Sequence, residues 1–423
     1  MQLDVEQERE KNARPEKMAK RRKRKAARDP SMQYLADPAG APMCRAARAF
    51  FTKTCGLPRF EVVLGRKGGW RVVAKLAVRG TPPVFGMFKP GTHDIAELLH
   101  SDAQHEAINA CAKLLHKAVL HAGVQGYDGK NAGGLSYVAL NADTMANRAQ
   151  VVCVFNHEKV DTSLRGQMAN VLAYMHAHGG KKLLHSVWVH CNPAGRHDNN
   201  IFAHEGAWER LEGDKFIEER LEPLEGAVPY ALPILRFPPM VFRQANPEAF
   251  AGIIAEARKW MQPDGSSKLP VTVELYGGVG TIGLHMLDLV RSISISDANP
   301  HNKACFESTV EGLETPALRA KVRAYDPRDA VQVAQSGALS NAEVVIVDPP
   351  RKGLDKDVVY AFSRARRLRR IVYISCGFKA LQRDTVALQR NGFKLDFAKG
   401  HVLFPGADHI ETLAVFTRDA RAQ

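Results

Sequence analysis

The sequence predicts an α/β protein in two parts: a C-terminal part of alternating strands and helices around a buried parallel sheet, and an N-terminal α+β part with an antiparallel sheet. Three observations carry this expectation. From Leu269 onward, LPVTVELYGG, RSISISDANP, AEVVIVDPP and LRRIVYISCG are short, largely β-branched runs closed by turn or polar residues and separated by helix-length segments, as βα units on a parallel sheet are. Between Phe60 and Phe155, FEVVLGRKGGWRVVAKLAVRG, GGLSYVALNAD and AQVVCVFN alternate apolar and polar residues and break at glycines, the habit of antiparallel strands. AINACAKLLHKAVLHAG, SLRGQMANVLAYMHAHGG and PEAFAGIIAEARKWM repeat apolar residues at helical spacing. The expected divisions are a basic arm over residues 1–40, the α+β part over 41–240 and the α/β part over 241–423.

Composition narrows the function classes. The chain has 423 residues, 45% of them hydrophobic and 25% charged, enough for a sizeable core. No apolar run reaches the roughly 18 residues a membrane span needs, and the first thirty residues lack a secretory apolar stretch, so membrane and secreted classes are excluded. Seven scattered cysteines without a C-x-x-C pair suggest neither a disulfide framework nor a metal or iron–sulfur ligand set, and the chain reads as an intracellular, cytoplasmic monomer without metal.

A net charge of +14 implies an acidic partner, with nucleic acid first, because surface Lys and Arg gain affinity by releasing condensed counterions. Met1 to Pro30 carry eleven basic and six acidic residues, a net of +5. Lys17 to Arg28 form a block too polar to pack, read as an RNA-contacting or import arm or as a solubilising tail. The cluster SRARRLRR around Arg364 to Arg370 either ends a helix or contacts RNA.

The residues that close the C-terminal runs come next, since open α/β sheets bind ligands beyond the carboxyl ends of their strands. In VELYGGVGTIGL, Gly277, Gly278 and Gly280 allow a tight strand-to-helix turn that a ligand can approach, although a tight turn alone is the plainer account. SISDANP ends in Asp297, about twenty residues beyond the glycines, where an acid accepts hydrogen bonds from a ribose diol. Together these point to an adenosine-containing ligand, and with no Walker lysine after the glycines phosphate cradling is not indicated. VRAYDPRDA offers Asp329 as a neighbour of the base or as a helix N-cap. Asp348 ends VVIVDPP, either facing the crevice or stopping the strand. RRIVYISCGF sets Cys376 just past a buried strand, as a small buried hydrophobe or as a thiol nucleophile facing the same crevice. HVLFPGADHIETLAVFTR places His409 and Glu411 before the last strand; Glu411 is an edge acid or, beside a nucleophilic Cys, a base.

These motifs in this order resemble the S-adenosylmethionine-dependent RNA 5-methyluridine methyltransferases. FRQANPEAF over Phe242 to Phe250 is similar to that family's F-x-Q-x-N, ELYGGVG to its E/D-L-[FY]-x-G-x-G loop, VVIVDPPRKG to its D-P-P-R-x-G, YISC to its Y-[IV]-S-C and HIETLAVF to its H-x-E-T. A weaker likeness reaches back to Pro90 through KPGTHDIAELLHSDAQHEAIN and LLHSVWVHCNPAGRHDNNIF. The resemblance implies a Rossmann-like class I methyltransferase domain behind an RNA-binding α+β domain. It assigns Gln244, Tyr276, Thr281, Asp297, Asp329 and Asp348 to S-adenosylmethionine, Cys376 to the nucleophile and Glu411 to the base. The activity it implies is methyl transfer to carbon 5 of a uridine in tRNA or rRNA through a covalent Cys–uracil adduct. The target base is flipped out of its stack to reach the thiol.

Two departures stand out. The family reads S-C-N-P where this chain has Ser375, Cys376, Gly377 and Phe378, so Phe378 is expected to offer a stacking ring; and the cysteine cluster of iron–sulfur members is missing. A methyltransferase acting on an exocyclic amine would have no use for Cys376 or Glu411. A non-catalytic RNA-binding protein on the same scaffold draws its support from the altered S-C-G-F loop.

Overall fold

The computed structural model describes residues 32–89, 91–92, 94–129, 133–193, 201–202, 206–221, 232–262 and 268–418. The basic block Lys17 to Arg28 lies outside them. Two large sheets organise the chain. The first strand, β1 (Val62–Leu64), is followed by β2 (Val73–Arg79), β3 (Val84–Phe88), β4 (Ile95–Glu97), β5 (Leu135–Asp143), β6 (Arg148–Phe155), β7 (Leu184–Cys191) and β8 (Ala207–Gly213). A two-stranded ribbon, β9 (Ile217–Glu219) and β10 (Leu235–Phe237), leads to β11 (Val271–Leu275), β12 (Ser292–Ser296), β13 (Val322–Asp326), β14 (Val344–Val347), β15 (Arg370–Ser375), β16 (Lys394–Val402) and β17 (Glu411–Thr417).

Strands β2 to β8 form a seven-stranded sheet in the order β4-β3-β2-β5-β6-β7-β8. The sequence leads one to expect this sheet to be antiparallel, and it is so except at β6 and β7, which pair parallel with Val151 opposite Val187. The helix Thr162–Ala177 supplies the crossover that a parallel pair requires. That helix and Glu106–His121 cover one face, burying Leu115, Val119, Met168 and Val171 against Val138, Val151 and Val189. Ala139, Val152, Val154 and Trp188 point to the other face, where Phe202, Trp208 and Met240 pack on them.

The second sheet has eight strands in the order β1-β16-β17-β15-β14-β11-β12-β13. Strands β11 to β15 run parallel, and β17 lies antiparallel between β15 and β16. Side chains alternate across it: Val345, Val347, Ile371 and Tyr373 face one core, while Val344, Ile346, Val372 and Ile374 face the other. Runs apolar on both faces are what the sequence shows, because a parallel sheet is covered on both sides. The strand order turns at β11, which has β12 on one flank and β14 on the other, opening a crevice at the carboxyl ends.

The segment before β2 belongs with this second sheet. β1 pairs parallel with β16, Val62 opposite Gly400, and the helix Pro42–Ala49 with Phe50 and Phe51 packs into the same core as Leu381 and Phe416. Nothing local in FEVVLGRKGG distinguishes a strand of one sheet from a strand of the other.

A buried ion pair ties the β9–β10 ribbon and the first sheet to the segment that leads into the helix Pro247–Arg258. Arg243 donates through Nε to Glu219 Oε2 at 2.8 Å and through Nη1 to the carbonyl of Ala142 on β5 at 2.7 Å, and both charged side chains are 4% exposed. Three residues on, Asn246 accepts from the Ala249 N–H at 3.1 Å to start the helix Pro247–Arg258 and donates to the Leu403 carbonyl at 2.7 Å. Removing one partner strands the other in a low-dielectric interior. Glu219→Ala is therefore expected to lose about 3 to 5 kcal/mol in urea unfolding, whereas a loss below about 1 kcal/mol would show that water reaches Arg243.

Candidate active site

The turn after β11 is built for close approach. Tyr276 holds φ at +60°, rare for a side-chain-bearing residue, and Gly278 follows at +56°. A Cβ on Gly277 would lie 2.5 Å from Ile295, so this glycine lets the turn pack on β12, whereas a Cβ on Gly278 would meet nothing within 4 Å. The loop is thus closed toward the sheet and open toward the crevice. The Gly278 N–H donates to Asp297 Oδ2 at 3.0 Å, and Asn299 N–H and Asn302 Nδ2 both donate to Oδ1 at 2.9 Å. Three donors hold the half-buried Asp297 carboxylate at the end of β12 while Oδ2 keeps a lone pair for a further donor.

Glu274, inside β11, was not singled out by the sequence. Its side chain accepts from the Gly283 N–H at 3.0 Å, which fixes the start of the turn 283–289, and burial holds its carboxyl well above the usual range. Half-buried Thr281 gives its carbonyl to His285 at 2.6 Å. Asp329 is exposed and caps the helix Ala330–Gln335 in a reciprocal capping box with Gln332, the second of its two expected roles. Its carboxylate still acts on Tyr276, whose hydroxyl is raised by burial and then by Asp355 and Asp329. Gln244 is half-buried in the loop pinned by Arg243 and Asn246.

Cys376, Glu411 and Asp348 come together at the neighbouring strand ends. Ser375 pairs with Thr412 across β15 and β17, and His401 of β16 pairs with Glu411, so Cys376, one residue past Ser375, comes opposite Glu411. Asp348 ends β14 alongside. These three groups and Arg351 share one field. Burial lifts the Asp348 carboxyl to about 7. Burial and then the Asp348 carboxylate push Glu411 up to about 8, with the Arg351 guanidinium pulling the other way. Burial, then the carboxylates of Glu411 and Asp348, raise the Cys376 thiol to about 11, again against Arg351.

The loop that carries Arg351 is fixed from behind by Asp384, which is 2% exposed. Its Oδ2 accepts from the Leu354 N–H at 2.8 Å and from the Tyr373 hydroxyl at 2.7 Å, and Arg383 Nε donates to Oδ1 at 2.8 Å. Sequence reading missed Asp384 because its partners lie 11 and 30 residues away. A Cβ on Gly377 would lie 2.4 Å from the Arg351 carbonyl oxygen, so the glycine after the cysteine lets two loops touch. The expected role of Phe378 is corrected: it is 5% exposed and packs edge-on against Phe50 at 5.9 Å, because the helix Phe378–Arg390 begins there over the N-terminal segment. The cluster SRARRLRR divides: Arg364 sits in the last turn of the helix Lys356–Arg364, and Arg370 is buried, donating to the carbonyls of Trp260 and Gln262 at 2.9 and 2.7 Å.

Among the described residues no helix is long and apolar enough to cross a membrane, and no group of three or more His, Cys, Asp or Glu is placed to hold a metal ion.

Known proteins are similar to this chain in sequence and in fold. The family model for tRNA (uracil-5-)-methyltransferase matches residues 320–419, which contain β14, Cys376 and Glu411. The chain is 28% identical over 357 residues to an uncharacterized RNA methyltransferase of Protochlamydia amoebophila, covering 84% of this chain and 87% of the relative. It is 25% identical over 375 residues to a 23S rRNA (uracil(747)-C(5))-methyltransferase of Shewanella amazonensis, covering 86% and 89%. Over residues 320–419 the chain therefore carries the sequence pattern of the tRNA (uracil-5-)-methyltransferase family, and over most of its length it is similar to RNA methyltransferases. Its fold is that of the Pyrococcus abyssi tRNA (uracil-54, C5)-methyltransferase in complex with S-adenosyl-L-homocysteine, with a TM-score of 0.68 at 20% identity over 89% of this chain and 81% of that one. The open side of Gly278 and the lone pair left on Asp297 suit an adenosine ribose there.

The raised pKa of Glu411 has a sign in stability. Between its unfolded value near 4.5 and about 8 the folded state holds a proton that the unfolded chain has lost, so rising pH weakens the fold across that window. Glu411→Gln, which cannot ionise, is expected to melt at least about 2 °C above the parent at pH 8.5 and close to it at pH 4.5 by calorimetry. An equal difference at both pH values would contradict the buried, raised carboxyl.

Proposed function

We propose that the protein methylates carbon 5 of a uridine in structured RNA, tRNA or rRNA, as a cytoplasmic monomer, through a covalent bond between Cys376 and carbon 6 of the uracil. The observation that carries this reading is the strand register that brings Cys376 opposite Glu411 at the mouth of the crevice. Carbon 5 of uracil is too weak a nucleophile to accept an alkyl group unaided. Addition of the Cys376 thiolate at carbon 6 turns the ring into an enolate that is nucleophilic at carbon 5. S-adenosylmethionine, when bound, supplies an electrophilic methyl group to that carbon. Glu411 then removes the carbon 5 proton, the carbon 6–sulfur bond breaks, and Cys376 is released as thiolate.

The residues assigned to the methyl donor are Asp297 for the ribose, Asp329 near the base, and Gln244, Tyr276, Thr281 and Asp348 around the methionine part and the crevice. The reaction needs Glu411 ionised, and the carboxyl at about 8 makes the active fraction rise with pH through the neutral range. The thiol at about 11 acts in the same direction. Arg351 favours the ionised form of both groups.

The test is methyl transfer from S-adenosylmethionine to unmodified tRNA and 23S rRNA transcripts, with the product nucleosides separated. 5-Methyluridine is expected from the parent protein, and Cys376→Ala is expected to lose it by about 1000-fold or more while binding S-adenosylmethionine within about twofold of the parent. Methyl groups on adenine or guanine amines, or full activity in Cys376→Ala, would replace this reading with an exocyclic-amine reaction.

A further inference from the structure

Each turnover of the proposed cycle leaves one proton on Glu411, taken from carbon 5, while the thiolate is regenerated. Glu411 must lose that proton before it can act again. Its side chain is 9% exposed and lies at the first position of β17, paired through the backbone with His401 and flanked by the strand end that carries Cys376. His409 lies beside it, with Nδ1 3.8 Å from Glu411 Oε1, and the His409 side chain is 18% exposed, twice the value for Glu411. Both His409 ring nitrogens are buried from water, and the Cys376 backbone and the Asp408 carboxylate face the ring.

The ring is held in place by packing. Phe404 meets it edge-on at 5.1 Å, and Trp70, from the segment ahead of β2, meets Phe404 edge-on at 5.4 Å. The loop beneath is anchored by the N-terminal segment: the Met43 N–H donates to Asp408 Oδ1 at 2.7 Å and the Tyr34 N–H to the Gly406 carbonyl at 2.7 Å. A buried imidazole wedged by an aromatic ring 3.8 Å from the Glu411 carboxyl has a desolvation cost that a purely structural residue such as Leu would not have.

We propose that His409 carries the proton from Glu411 to solvent after each methyl transfer. The Glu411 O–H bond breaks and an N–H bond forms at His409 Nδ1, giving carboxylate and imidazolium; the imidazolium then gives one N–H proton to the neighbouring exposed Asp408 carboxylate, which releases it to water, and the ring returns to neutral imidazole. This rests on the uracil reaction proposed above. The charges facing the ring fit a transient cation. Burial and the Arg351 guanidinium hold the resting imidazole neutral and able to accept, and the Cys376 backbone and the Asp408 carboxylate favour it once protonated. Glu411 becomes anionic at the same step, 3.8 Å away. His409 acts through Glu411 and touches neither the uracil nor the methyl donor in this scheme.

Rapid-quench kinetics on the full-length protein, with the RNA transcript that the parent methylates, separate the first turnover from the later ones. His409→Gln is expected to complete the first turnover within about twofold of the parent at pH 8.5 and then to turn over at least about tenfold more slowly. Added imidazole is expected to restore the steady-state rate of His409→Ala by about threefold or more. Equal loss in both phases for His409→Gln, with S-adenosylmethionine binding and melting temperature retained, would overturn the relay, as would failure of imidazole to restore His409→Ala. A parent protein that forms no 5-methyluridine would instead overturn the reading on which the relay rests.

Discussion

Antiparallel pairing of β17 between β15 and β16 is the constraint on which the rest depends. The five parallel strands beside it only deliver side chains to a common edge. Because β17 runs the other way, its first residue, Glu411, lands next to the residue that follows the last of β15, Cys376. A slip of two residues in that ladder would keep every apolar side chain on its face and still move Glu411 about 7 Å along the strand. The register is held by alternating buried contacts on both faces, among them Ile371, Tyr373, Ala414 and Phe416 in one core and Val372, Ile374 and Leu413 in the other.

Around that ladder the protein concentrates buried charge. Asp348, Glu411 and Cys376 each resist ionisation, and among the described residues Arg351 is the cation that favours the ionised form of both Glu411 and Cys376. A site poised in this way sacrifices stability for groups that ionise near neutral pH. The remaining anchors are structural. Asp384 fixes the loop of Arg351 by accepting a backbone N–H and a tyrosine hydroxyl, Gly377 lets that loop rest against the turn that follows Cys376, and the segment before β2 holds the loop of His409 through Asp408 and Gly406. The N-terminal residues 32–64 therefore support the edge that carries Cys376 and Glu411 although the seven-stranded sheet lies between them and β11 in the chain.

Much of this is legible in the sequence where cause and effect are local. Runs such as VVIVD and IVYISC announce parallel strands because both faces are buried, and their terminal residues mark the crevice because strands end at turns. Asp329 followed by Gln332 spells a capping box within four residues. What is not legible depends on distant partners. Phe378 is an exposed ring or a core ring according to whether Phe50 and Phe51 lie above it, and they are more than 300 residues earlier. Val62 to Leu64 read as a strand of the first sheet until Gly400 is placed beside them. Asp384 looks like a helix-surface acid until Leu354 and Tyr373 are folded onto it.

The measurement that bears most directly on the β15–β17 arrangement as a covalent site uses the methylated RNA transcript synthesised with 5-fluorouridine. Fluorine at carbon 5 cannot be taken by Glu411 as a proton is, so the cycle halts after methyl transfer with uracil still bonded to sulfur. Digestion of the denatured complex and mass spectrometry of the peptides is expected to place a methylated fluorouridine nucleotide on Cys376. A nucleotide on any other cysteine, or its complete absence while 5-methyluridine forms on ordinary RNA, would contradict the account.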